Sequence, residues 1–87
     1  MKTISETTKN MTKANIGWFV QQTAFGGGSN DLFIEEIIEF VAKESKGFQK
    51  DICEKVIKYS HNGMYKMSEK QAYCVFYEFL KLKQIEK

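Results

Sequence analysis

Apolar residues recur with a helical period in four stretches of this chain, and glycines fall between them. In the first, from about Thr12 to Phe25, Ile16, Phe19, Val20 and Ala24 form one stripe. Met11, Ala14, Trp18 and Phe25 form a second on the opposite side, so the pattern predicts a helix that is apolar on two faces. The second stretch runs to about Ser45, with Phe33, Ile34, Ile37, Ile38, Phe40 and Val41 facing inward and Glu35, Glu36, Glu39 and Lys43 outward. Ser29 or Asn30 is its expected N-cap, Asp31 adds a favourable charge to the first turn, and Gly47 is placed to end it.

The third stretch, about Phe48 to Ser60, sets Phe48, Ile52, Cys53, Val56 and Tyr59 against a polar side of Lys50, Asp51, Glu54, Lys55, Lys58 and His61. Asp51 to Lys55 and Glu54 to Lys58 are spaced as i, i+4 ion pairs, each worth ~0.2 to 0.5 kcal/mol of helix support. Asn62-Gly63 then reads as a turn. The last stretch opens on Ser68-Glu69-Lys70-Gln71, the spacing of a capping box in which the Ser68 hydroxyl and the Gln71 side chain each satisfy a free backbone amide. From Ala72 to Leu82 only Glu78 and Lys81 are charged, and the apolar arc covers ~220° of the helix. An arc that wide fits a helix at the centre of the molecule. It also fits a partner surface, with Tyr73 and Tyr77 one turn apart at its edge.

These stretches predict an all-α fold: a compact bundle of about four helices joined by short glycine-containing connections. Residues 1–10 read as a polar, flexible N-terminal segment and 11–87 as a single helical domain. A length of 87 residues leaves no room for a second domain, and a hydrophobic fraction of 43% with 14% aromatic residues is enough to build a core. The N-terminus lacks the apolar run of a signal peptide and no stretch has the length of a membrane span, so the expected location is the cytoplasm, with no membrane partner.

Charge adds little: 13 basic residues against 11 acidic ones leave a formal net charge of +2. All the basic residues are lysine, so the chain lacks the planar fork with which arginine reads guanine, phosphate and carboxylate bidentately. Cys53 and Cys74 lie far apart and form no metal-ligand set with His61, the single histidine. Cys53 falls on an apolar face and is expected to be inert, and Cys74 among Lys70, Glu78 and Lys81 to be more accessible. Catalysis by His61 would require an orienting acid or a neighbouring nucleophile, for which Asp51 and Glu54 qualify only by proximity in sequence, so it reads as a surface histidine near the end of the third helix. Gly26-Gly27-Gly28 has neither the lysine nor the preceding strand of a phosphate loop and reads as an inter-helix connection. No catalytic residue, metal or cofactor is therefore expected.

Two functions fit the pattern. The favoured one is a small non-enzymatic protein-interaction module, of the kind a phage or mobile element uses to bind or inhibit a host protein. It would act through an apolar and aromatic surface of the first and last helices, with self-association expected. Trp18, Phe25, Tyr73 and Tyr77 are its candidate contacts. The alternative is a small helix-turn-helix-like nucleic-acid-binding protein that uses the third helix, with Gln49, Lys50, Lys55 and Lys58 reaching the nucleic acid.

Overall fold

A computed structural model describes residues 5–25, 31–60 and 64–85. The helices are α1 (Glu6–Lys9), α2 (Ile16–Val20), α3 (Leu32–Glu44), α4 (Phe48–Lys58) and α5 (Glu69–Ile85), with a 3-10 turn, Lys13–Asn15, before α2 and a π turn, Gln21–Phe25, after it. The fold is all-α, and the described residues contain no strand element. No helix among them is long and apolar enough to cross a membrane.

Helix α5 is the centre of the arrangement: it packs against α2, the π turn, α3 and α4. The middle of its wide apolar arc is accordingly core, where Ala72, Val75, Phe76 and Phe79 have lost all contact with water, while Tyr73 and Tyr77 at its edge stay exposed. Aromatic rings run through the interior in series. Phe19 meets Phe76 at 5.2 Å between centroids, Phe76 meets Phe79 at 5.8 Å, and Phe79 meets Phe40 edge-on at 5.9 Å. These tilted and edge-on geometries suit the ring quadrupole and bind α2, α3 and α5 into one core. The start of α5 follows the predicted capping box, with the Ser68 amide donating to Gln71 Oε1 at 3.0 Å and the Gln71 amide to Ser68 Oγ at 3.2 Å.

The first stretch is helical but not uniform. It tightens at Lys13–Asn15, runs as α-helix to Val20 and widens into the π turn. Within that turn the buried Thr23 hydroxyl donates to the Phe19 carbonyl at 2.8 Å, and the Thr23 carbonyl accepts the Met67 amide at 3.1 Å. Widening a helix changes which carbonyls its own amides reach, and here the connection to α5 supplies one of the partners. The two predicted stripes are redistributed as a result. Phe19 and Val20 are buried, Met11 joins them from the opposite stripe, and Ala14 and Phe25 stay in water.

Both ends of α3 differ from expectation. Asp31 itself is the N-cap, accepting from the amides of Phe33 at 2.7 Å and Ile34 at 3.4 Å, and the expected caps Ser29 and Asn30 lie outside the described residues. The helix ends at Glu44 rather than at Gly47, because Ser45 turns extended and is buried, donating its hydroxyl to Glu78 of α5 at 2.9 Å. Gly47 instead precedes α4, at an ordinary negative φ of −101°. The glutamates assigned to the outer face of α3 are half-buried, because two other segments cover that face. Glu36 Oε1 accepts from the Ser5 amide at 2.9 Å and the Thr8 hydroxyl at 2.7 Å, and Glu35 accepts from the Tyr65 hydroxyl at 3.3 Å. The polar segment before residue 11 thus carries a helix, α1, capped by Ser5 and docked on α3 through the buried Thr8.

Candidate functional site

Of the four residues predicted to meet a partner, Trp18 is half-buried and packs on the core, its ring 6.4 Å from that of Phe19. Phe25 is exposed at the end of the π turn. Tyr73 and Tyr77 are exposed on α5, by 38% and 50%. Tyr77 lines a groove of about 480 Å³ with Met11, Thr12, Lys13, Leu80, Lys81 and Lys83, and neither Trp18 nor Phe25 belongs to that lining. The two tyrosines therefore share a helix face, while the tryptophan belongs mainly to the core.

The third-helix residues proposed for nucleic acid are divided in the same way. Lys50 turns back on α3: its ammonium donates to the Ala42 carbonyl at 2.6 Å and pairs with Glu54 at 3.4 Å. It acts as a cap for the end of the neighbouring helix, where unpaired carbonyls and the negative end of the dipole favour a cation. Glu54 consequently pairs with Lys50 rather than with Lys58, whose ammonium sits 5.5 Å from the centroid of the Tyr59 ring. Gln49 is half-buried, and Lys55 and Lys58 are exposed on a helix that also presents Asp51 and Glu54 to water.

A larger feature runs along α4. Phe48, Ile52, Val56 and Tyr59 form one wall of an open groove of about 590 Å³, closed on its far side by Met64, Lys66 and Gln71. Three of the large apolar side chains here stay in water, with Phe48 at 59%, Tyr59 at 73% and Met64 at 40% exposure. Phe48, Ile52, Val56 and Tyr59 recur at helical spacing, and that stripe alone would place them all in the core. The segment that leads into α5 buries Tyr65 and Met67 instead and leaves the outer edge of the α4 stripe uncovered. Met64 has no periodic signal in the sequence, because it lies on a non-helical connection whose path is set by tertiary contacts. Lys55 and Lys66 stand on the groove with Asp51.

The interior offers little chemistry. Burial, and secondarily the Glu54 carboxylate beside it, pushes the Cys53 thiol up to about 12, so it stays protonated. Cys74 is half-buried and free. Among the described residues no group of three His, Cys, Asp or Glu side chains is placed to hold a metal ion, and every buried side-chain nitrogen or oxygen has a hydrogen-bond partner. His61, the Gly26–Gly28 run and the Asn62-Gly63 turn lie outside the described residues. Comparison with protein-family models, with curated proteins and with solved structures finds no match for this chain.

Proposed function

We propose that this chain is a non-enzymatic protein-interaction module that receives an apolar helical segment of another protein in the groove along α4. The observation that carries this reading is the cluster of Phe48, Tyr59 and Met64, exposed together above Ile52 and Val56. Large apolar side chains gathered in one concave strip mark contact surfaces, whereas isolated ones are ordinary. Phe48 and Tyr59 stand about 16 Å apart along the helix axis at ~1.5 Å per residue. That length accommodates apolar side chains at i, i+4 and i+7 of an amphipathic partner helix, the usual anchors of helix-in-groove recognition. Lys55 and Lys66 at the groove favour acidic residues on the flank of that helix.

The test uses the full chain and a Phe48→Ser/Tyr59→Ser variant, which should keep its helical circular dichroism because both side chains are mostly in water. A host protein retained by the immobilised wild type should be lost on the variant, and its binding should slow amide exchange between residues 48 and 66. Equal retention by both chains, or protection elsewhere, would overturn the reading. Light scattering over a range of concentrations identifies the occupant. A dimer that dissolves in the double variant would replace the foreign helix with a second copy of this chain.

A further inference from the structure

The outer face of α5 carries a second surface that the α4 groove does not use. At ~100° per residue, Lys70, Tyr73, Tyr77 and Lys81 fall within about 80° of the helix circumference, and all four side chains are exposed. Tyr73 and Tyr77 are about 6 Å apart along the axis, one turn, with a large part of each ring open to water. At the C-terminal end the stripe widens into the groove where Lys13, Lys81 and Lys83 gather around Tyr77, and no carboxylate lines that groove.

One of these cations is tied to the fold and a second stands on a hydrogen-bonded turn. Lys83 donates to the Lys9 carbonyl at 2.7 Å, and the turn that carries Lys13 is fixed by Thr12 and Asn15, with the Thr12 amide donating to Asn15 Oδ1 at 2.9 Å. Glu78, which follows Tyr77 in the chain, accepts from Ser45 at the end of α3. Glu69 is exposed at the opposite end, beside Lys70, so the cationic end of the stripe is the C-terminal one.

We propose that this face binds single-stranded nucleic acid, with Tyr73 and Tyr77 stacking successive bases and Lys13, Lys81 and Lys83 meeting the phosphates. Single-strand binders combine an aromatic platform with a cationic track, and stacking on a ring requires a base with a free face. A duplex has its bases already stacked, and the arginine forks that read groove edges are absent from this chain. Lysine suits the remaining task, since contact with phosphate needs a point charge and no planar match.

The experiment is fluorescence anisotropy with end-labelled single strands of mixed sequence, DNA and RNA, of about 12 nucleotides, within the site sizes of such proteins. Three neutralised phosphates give a slope near −2 in log K against log salt, so affinity should fall about twentyfold between 50 and 200 mM salt. Tyr73→Ala/Tyr77→Ala should weaken binding by about tenfold or more, whereas Tyr73→Phe/Tyr77→Phe, which keeps both rings, should bind as the wild type does. Lys13→Gln/Lys81→Gln should flatten the salt dependence. Phe48→Ser/Tyr59→Ser should leave the oligonucleotide affinity unchanged, so this surface and the α4 groove fail or stand separately. No anisotropy change up to about 100 µM chain, the weak limit of non-specific binding, would overturn the proposal. So would duplex binding as tight as single-strand binding, binding that survives loss of both rings, or equal competition by poly-glutamate.

Discussion

Cys53 shows how far the interior of α4 differs from its surface. It has no exposure, while its neighbour Glu54 is in water. A thiol whose folded pKa is about 12, against an ordinary 9.0, is protonated in the folded chain at pH values where the unfolded chain has ionised. The unfolded state then binds fewer protons, so stability falls as pH rises. The contribution is complete below pH 9.0 and is lost between there and about 12, at a limiting rate of ~1.4 kcal/mol per pH unit. The wild-type denaturant midpoint should therefore fall relative to that of Cys53→Ala as the pH is raised from about 8 to about 11, whatever their offset at neutral pH. A constant offset would mean the thiol reaches water. A thiol reagent at pH 8 should modify Cys74 first and reach Cys53 only at the rate of unfolding, a distinction legible in the sequence from the face each cysteine occupies.

At the level of elements, the end of α3 depends on a residue from the next helix. Lys50→Met keeps the hydrocarbon stem but removes the ammonium that holds the Ala42 carbonyl. The expected cost is about 0.5 to 1 kcal/mol for a half-exposed charged hydrogen bond, read as a lower denaturant midpoint with unchanged helical content. An unchanged midpoint would return Lys50 to the solvent-facing set that the alternation along α4 suggests. Local chemistry was legible in the Ser68 and Gln71 box, where both partners lie within one turn, but not in the choice of Lys50 over Lys58 as the partner of Glu54. It was not legible where a partner comes from far along the chain. Glu35 and Glu36 have the spacing of an outer face, and only the fold brings Tyr65, Ser5 and Thr8 onto them. The π turn is a similar case, since the amide that meets the Thr23 carbonyl belongs to Met67.

For the molecule as a whole, the breadth of the α5 arc fitted either a central helix or a partner surface, and α5 is central. The candidate surfaces were less legible, because periodicity identifies which residues share a face and not whether another element covers it. Trp18 was covered by core packing, whereas Phe48 and Tyr59, equally apolar, were left open. The hydrogen bond from Lys83 to the Lys9 carbonyl spans almost the whole sequence and sets the C-terminal helix beside the N-terminal one. Chain order at this seam is thus not a requirement of the architecture. A circular permutant that joins Lys87 to Met1 through a glycine and serine linker, with new ends opened among Gly26, Gly27 and Gly28, removes no residue that makes a described hydrogen bond. It should fold with the same far-ultraviolet spectrum and cooperative unfolding.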